Sequence, residues 1–366
     1  MTVLMWDGGP LLTAAEAWRD QDDLVKLCAD RPLDTVEIFS PNGFYGYDQL
    51  LKRYAGLPST YPLKAVVPHG TIIDPGFVWK AERDASLPGV LCWERHRQPL
   101  YEAAGGKLVL PGASPYLYLT QMLAQAAPAE RAGTLFFPSH STHHVDDEAD
   151  YDLLAVKLAS LPPELAPVVV CMYWRDLHLG REAPFRHLGL QVVSAGHMYD
   201  PDFPARLHHL LTRFRYAAGN EFGTHMFQAV ASGCTYFHVG NMSAIDPDAL
   251  LRRREPDGVP WIAPDYAIVR PLYQEMSECF GAPLPGDFNR QQGLTRNILG
   301  GDRLQSPIEL RRTFKHLEVL DRWGSWGQGV PAPGLRATPK RFERSFRRLR
   351  SLVPTKALRS LLPAKE

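Results

Sequence analysis

A dense group of polar side chains follows the β-rich run Thr134–Phe137. Imidazole, hydroxyl and carboxylate groups come within eleven residues: Ser139, His140, Ser141, Thr142, His143, His144, Asp146, Asp147 and Glu148. Hydroxyl and imidazole groups can donate hydrogen bonds to a diphosphate. Imidazole and carboxylate groups can also bind zinc or manganese, but the spacing matches no metal motif. The acids also suit the first turn of the next helix. The pattern favours an anion site and leaves a metal site open.

A second candidate site lies where a strand, a glycine-bearing loop and a helix follow one another. The strand Tyr216–Gly219 leads into Asn220, Gly223, Thr224 and His225, and the helical run Met226–Ser232 comes next. A helix start offers unpaired backbone N–H groups and the positive end of the helix dipole, which suit a phosphate. Gly223 would let the backbone approach the ligand closely. An ordinary capped strand–turn–helix is the alternative interpretation.

Side chains that could act as a general base occur after strands of the first half of the chain. His69 is the strongest candidate, because the ordinary pKa of histidine lies near neutral pH. Asp7 and Glu94 are the next candidates. In the second half, Arg175 and His197 follow strands and are expected to contact the phosphates.

The elements that must position these residues alternate between strands and helices. The first half contains the β-rich runs Thr2–Trp6, Thr35–Phe39, Lys64–Pro68, Gly89–Trp93 and Lys107–Leu110. The second half contains Thr134–Phe137, Pro167–Trp174, Leu190–Ser194, Tyr216–Gly219 and Cys234–Val239. Helices are expected over Asp150–Leu161, Phe203–Phe214 and Leu304–Asp321. Compact apolar strands between helices indicate parallel sheets that are covered on both faces.

The length of 366 residues and this pattern predict an α/β protein with two Rossmann-like domains that face a cleft. The break near Ala124–Gly133 gives an N-terminal domain over 1–128 and a C-terminal domain over 129–300. C-terminal helices with a basic tail fill 301–366. Ligands of such sheets bind beyond the carboxyl ends of the strands, which is where the candidate residues lie.

Composition excludes several classes of protein. The net charge is zero, so no nucleic-acid partner is expected. The five cysteines are scattered, which suits reduced thiols in a cytoplasmic protein. No apolar stretch approaches the roughly 20 residues that span a bilayer, and no signal peptide is apparent.

The tail 338–366 differs from the rest of the chain. It carries nine basic and two acidic residues, and Phe342, Phe346, Leu349 and Leu352 form an apolar stripe at helical spacing. This combination is typical of an interfacial helix on an anionic bilayer, so we expect peripheral contact with the cytoplasmic membrane face. Packing of the stripe on the protein body is the alternative.

The segment from Val192 to Gly240 resembles the C-terminal half of GT-B-fold glycosyltransferases. The likeness rests on a strand followed by Gly196-His197, on Asn220-x-x-Gly223-Thr224-His225, and on the small-residue helix that ends at Gly233. Over Pro68 to Gly240 the chain is similar to bacterial capsule, O-antigen and other polysaccharide-synthesis proteins with Pro-Ser-His-Ser-Thr-His-His and Gly-Thr-His segments.

The resemblance implies a glycosyltransferase that moves a sugar from a nucleotide sugar to a glycan or lipid-linked acceptor, without a cofactor. The glutamate pair of many retaining members is missing, since Glu221 would pair with Ala229. We therefore expect an inverting, metal-independent mechanism. The alternatives are a metal-dependent hydrolase that uses His140, His143 and His144, and a catalytically inactive binding protein of the same fold. Nucleotide-sugar epimerases share the fold and stay open as well.

Overall fold

A computed structural model describes residues 10–71, 78–123, 130–141, 149–240 and 266–324. Its strands are β1 Ala65–Val66, β2 Gly89–Cys92, β3 Leu108–Pro111, β4 Thr134–Phe137, β5 Val168–Cys171, β6 Gln191–Val193, β7 Tyr216–Gly219 and β8 Thr235–His238. Its helices are α1 Ala14–Arg19, α2 Leu24–Leu27, α3 Tyr47–Tyr54, α4 Lys80–Asp84, α5 Gln98–Ala104, α6 Pro115–Leu123, α7 Tyr151–Ala159, α8 Trp174–His178, α9 Ala183–His187, α10 Phe203–Leu211, α11 Thr224–Ala231, α12 Tyr266–Phe280, α13 Phe288–Ile298 and α14 Pro307–Gly324.

The strands form two parallel sheets, one in each half of the chain. The first sheet has the order β1-β2-β3 and the second the order β6-β5-β4-β7-β8. In the second sheet, β5 and β6 extend to one side of β4, and β7 and β8 extend to the other. The connection from β6 to β7 therefore returns past β4 to the other side of the sheet, and the strand order switches between β4 and β7. Such a switch point opens a crevice at the carboxyl ends of the two strands.

Helices cover both faces of the second sheet. Leu135, Phe137 and Val169 face the core that contains α10 and α11. The alternate residues Phe136 and Val170 face a separate core beneath α7 and α9. Because successive strand residues point to opposite faces, apolar residues at every position require cover on both sides. The continuous apolar runs in the sequence had predicted this arrangement, and it is confirmed.

The expected strand Thr35–Phe39 is wrong, because these residues do not join the first sheet. Side chains from this region hydrogen-bond to the backbone around β1 instead. The Asn42 amide donates to the carbonyl of Ala65 and accepts from the N–H of Val67. The Glu37 carboxylate accepts the N–H of Leu63. The backbone beside β1 is therefore satisfied by side chains rather than by a neighbouring strand.

The two ends of the described chain each contact the opposite half. Near the start, α1 packs on α10, and Asp20 forms an ion pair of 2.7 Å with Arg206. Near the end, α14 packs on the first sheet, where Leu317 lies against Gly89. Lys64 and Asp321 add an ion pair of 2.8 Å. The two sheets are thus held together by segments from both ends, and one hydrophobic core runs between them.

The α/β class with two parallel sheets is confirmed. The expected helices Asp150–Leu161, Phe203–Phe214 and Leu304–Asp321 correspond to α7, α10 and α14. The expected strand Thr2–Trp6, most of the break Ala124–Gly133 and the tail 338–366 lie outside the described residues. No helix in the described part of the chain is long and apolar enough to cross a membrane.

Candidate functional site

A cavity of about 240 Å³ lies between the two sheets. Its walls follow the carboxyl ends of β1, β4, β5, β6 and β7: His69, Gly70, Pro138, His140, Tyr173, Ala195, Glu221, Gly223, Thr224 and His225. The cavity includes residues on both sides of the β4–β7 switch point. In open α/β sheets this is the usual position of a ligand. It is therefore the candidate site.

The start of α11 forms one wall of the cavity. Gly223 has an extended backbone and precedes the helix, and Thr224 is its first residue. The Thr224 hydroxyl accepts a hydrogen bond of 2.9 Å from the backbone N–H of Thr71 in the first half of the chain. Thr224 therefore links the two sheets, a role that the sequence did not indicate. Its own hydroxyl proton can still be donated to a ligand.

His225 lies on the first turn of α11. Its ring stacks on Phe137, with the ring centroids 5.1 Å apart. Burial of the ring, with His140 and His238 adding to the effect, lowers the pKa of His225 to about 3. The imidazole is therefore neutral at physiological pH. A neutral ring can donate one hydrogen bond, but it brings no positive charge to an anion.

The polar segment after β4 divides into residues inside and outside the cavity. His140 lines the cavity, and its ring lies 4.4 Å from the ring of Tyr173. Ser139 is held by Asn220, whose side chain accepts from the Ser139 N–H at 2.6 Å and donates to its hydroxyl at 2.8 Å. This pair joins the loops after β4 and β7. It fixes the geometry of the switch point without lining the cavity.

Ser141 is buried away from the cavity. Its backbone N–H donates to the carboxylate of Asp176, and Arg181 donates to its hydroxyl. Arg181 also pairs with Asp176 at 2.9 Å. Ser141 therefore belongs to an internal ionic network. Thr142 and His143, together with His144, lie outside the described residues.

His69 is placed at the cavity by the first sheet, three residues after β1. It contacts Phe44 edge to face at 5.4 Å. Burial lowers the pKa of His69, with Glu82 raising it and Arg97 lowering it to a smaller extent. A neutral imidazole at neutral pH can accept a proton, which is what a general base requires.

Glu94 does not line the cavity. Its carboxylate is buried and forms an ion pair of 3.0 Å with the guanidinium of Arg97. Arg97 also pairs with Glu82 at 3.3 Å, and Tyr101 donates a hydrogen bond to Glu82. Glu94 thus neutralises the buried positive charge of Arg97. Asp7 lies outside the described residues.

Arg175 and His197 do not line the cavity. His197 is buried against Trp174, with ring centroids 4.0 Å apart, and accepts the backbone N–H of Tyr199. Arg175 is partly buried on α8. The structure therefore brings together His69, His140, Gly223, Thr224 and His225 from the expected set.

Several cavity residues were missed by the sequence analysis. Tyr45 comes from the turn before α3 and has a left-handed backbone with φ of 56°, and Tyr47 is the first residue of α3. Gln228 is buried on α11 and donates to the Tyr47 hydroxyl at 3.1 Å. Glu221 is the carboxylate among the described cavity residues. The succession Tyr45-Gly46 is the one local sign of an unusual turn, since glycine favours positive φ.

No group of three His, Cys, Asp or Glu side chains in the described ranges is arranged to hold a metal ion. The expected histidine cluster is only partly covered, since it includes His143 and His144.

The sequence matches no protein-family model and shows no significant similarity to a curated protein. Solved structures with a similar fold include the pneumococcal O-GlcNAc transferase GtfA in complex with UDP and GlcNAc. That match has 11% identity and a TM-score of 0.34, and covers 74% of this chain and 54% of the GtfA chain. The wall teichoic acid polymerase TagF matches with 10% identity and a TM-score of 0.33, covering 73% of this chain and 69% of its own. This chain therefore spans about half the length of GtfA.

Proposed function

We propose that the chain is a glycosyltransferase that moves a sugar from a nucleotide sugar to a glycan or lipid-linked acceptor in polysaccharide synthesis. The observation that carries the proposal is the position of the cavity. It lies at the carboxyl ends of strands from both sheets, at the switch point between β4 and β7. Two substrates can meet there, one approaching from each half of the chain.

The second half of the chain would hold the donor. The start of α11 presents backbone N–H groups beside the cavity, and Thr224 adds a hydroxyl. These groups can stabilise the charge that develops on a departing diphosphate. His140 and His225 can each donate a hydrogen bond to the same region.

The first half would supply the base. In the proposed step the acceptor hydroxyl oxygen bonds to the anomeric carbon of the donor, and His69 takes the hydroxyl proton. The bond between that carbon and the diphosphate oxygen breaks, and the diphosphate leaves with the electron pair. This single displacement inverts the anomeric centre. The proposed step uses no metal ion and no cofactor.

A thermal-shift screen against nucleotides and nucleotide sugars tests the proposal. A ligand that binds only the folded state raises the apparent melting temperature. We expect one nucleoside diphosphate and its sugar conjugate to stabilise the protein, and turnover to appear with a suitable acceptor. Binding without turnover would identify an inactive binding protein. Hydrolysis that depends on stoichiometric zinc or manganese, lost in His143→Ala, would identify the hydrolase.

The basic tail is proposed to place the enzyme at a cytoplasmic membrane surface. Each basic residue near an anionic bilayer contributes about 1 kcal/mol, and salt weakens this attraction. Full-length protein should float with anionic vesicles at low salt, and a chain that ends at Gly334 should not. Equal behaviour of the two chains would contradict the proposed contact.

A further inference from the structure

A row of partly exposed aromatic rings crosses from one half of the molecule to the other at the cavity. From the first half come Trp79, His69 and Phe44, with His69 between the other two at 6.4 and 5.4 Å. Phe44 stacks on Tyr199 of the second half, with centroids 5.4 Å apart and planes at 29°. At Phe44 and Tyr199 the row passes from the first half of the chain to the second.

The row continues along the second half above two buried rings. Tyr199 rests on His197, which packs on Trp174 at 4.0 Å. Tyr173 contacts Trp174, and His140 lies over Tyr173 at 4.4 Å. Packing from below fixes the orientation of the exposed rings, so little conformational entropy is lost when a ligand covers them.

The row is continuous with the cavity, because His69, Tyr173 and His140 are also cavity walls. Of the described residues that line the cavity, none is a lysine or an arginine. Burial lowers the pKa of His69 and of His225, so both rings are neutral at physiological pH. The walls next to the row therefore suit an uncharged ligand that carries hydroxyl groups, and the start of α11 is left to the proposed diphosphate.

The cavity of about 240 Å³ can take a single sugar ring at the end of the row. A pyranose ring has an apolar C–H face, which packs on an aromatic ring, and hydroxyl groups at its edge, which can bond to Gln228 or Glu221.

We propose that this aromatic row binds a neutral oligosaccharide chain, with one sugar ring in the cavity and the following rings stacked on Tyr173, Tyr199 and Phe44. The inference deepens the proposed function and rests on it, because it identifies the acceptor of the proposed transferase as a glycan chain. Binding of the chain itself requires no turnover and no nucleotide.

Titration of the full-length protein with neutral oligosaccharides of glucose, galactose and N-acetylglucosamine, one to six residues long, tests the inference. We expect affinity to rise with chain length. Tyr199→Ala and Phe44→Leu should weaken binding of the longer chains roughly three- to tenfold, the range of single aromatic contacts. Tyr199→Phe keeps the ring and should bind like the wild type.

Tyr216→Ala is the matched control, since Tyr216 is partly buried at the opposite, amino end of β7. It should leave oligosaccharide binding unchanged. Equal affinity for one and six residues, or unchanged binding in both Tyr199→Ala and Phe44→Leu, overturns the inference. Binding of peptides or lipid vesicles to the row, without binding of oligosaccharides, also overturns the inference.

The nucleotide screen separates this inference from the proposed function. A protein that binds oligosaccharides through the row but no nucleotide supports the inference and contradicts the transferase. A protein that binds nucleotide but no oligosaccharide overturns the inference alone.

Discussion

The hydroxyl of Thr224 accepts a 2.9 Å hydrogen bond from the backbone N–H of Thr71, a residue 153 positions earlier in the chain. Thr224 is the first residue of α11, and Thr71 lies two residues after His69. One hydrogen bond therefore fixes the distance between the proposed phosphate site and the proposed base. Loss of this bond should affect both the stability of the molecule and the geometry of the site.

Thr224→Val keeps the shape of the side chain and removes the acceptor. The Thr71 N–H would then be left unpaired, which costs about 1–3 kcal/mol when the group is buried. We expect urea denaturation to show a fall of that size in the free energy of unfolding, together with weaker nucleotide binding. Thr224→Ser should behave like the wild type. Thr120→Val is the control, since that hydroxyl bonds within its own helix; an equal loss there would refute the linking role.

His69→Ala tests the proposed base. Loss of a positioned base typically lowers the rate about 10²–10⁴-fold. Because burial lowers the pKa of His69, its base form persists below pH 6.5. The acid limb of the pH–rate profile should therefore lie below that value in the wild type. An unchanged rate in His69→Ala would rule out His69 as the general base. Glu221 would then be the next residue to substitute.

His208 should make the protein less stable in mild acid. Its ring is buried beside Tyr116 and Ser232, and burial lowers its pKa from 6.5 to about 4. The unfolded chain then binds a proton more readily than the folded protein does. Stability from this group is complete above pH 6.5 and is lost as the pH falls toward 4, by about 2 kcal/mol between pH 7 and pH 5.

His208→Asn keeps a hydrogen-bond acceptor and removes the titration. Urea denaturation at pH 7 and pH 5 should show a smaller pH effect in this variant than in the wild type. His187→Asn, at an exposed histidine, is the control and should keep the wild-type difference. An identical pH effect in all three proteins would argue against His208.

Glu94→Gln separates a structural role of Glu94 from a catalytic one. The variant removes one carboxylate partner of the buried Arg97 and leaves Glu82 in place. Removal of one partner of a buried pair costs about 3 kcal/mol or more. We expect a marked loss of stability with little change in turnover per folded molecule. Glu102→Gln, at an exposed carboxylate on α5, should change neither. Lost turnover at unchanged stability would instead make Glu94 catalytic.

The sequence by itself determined the α/β class and the strands and helices nearest the site. The runs Thr134–Phe137 and Tyr216–Gly219 are the strands β4 and β7 at their expected bounds. Apolar runs between helices are formed by residues that are neighbours in the sequence, so they can be recognised from the sequence alone. For the same reason Gly223, Thr224 and His225 could be placed at a helix start, which the structure puts beside the cavity.

Only the tertiary structure decided which polar side chains reach the cavity. Glu94 and Ser141 follow strands as His69 and His140 do, but nearby arginines, Arg97 and Arg181, hold them inside the fold. Tyr45 and Gln228 carry no local mark of a ligand site, and they reach the cavity because the turn before α3 and helix α11, from opposite halves of the chain, converge there. Contacts such as Thr71 with Thr224 depend on the packing of distant segments. Residue type and spacing along one segment do not record that packing.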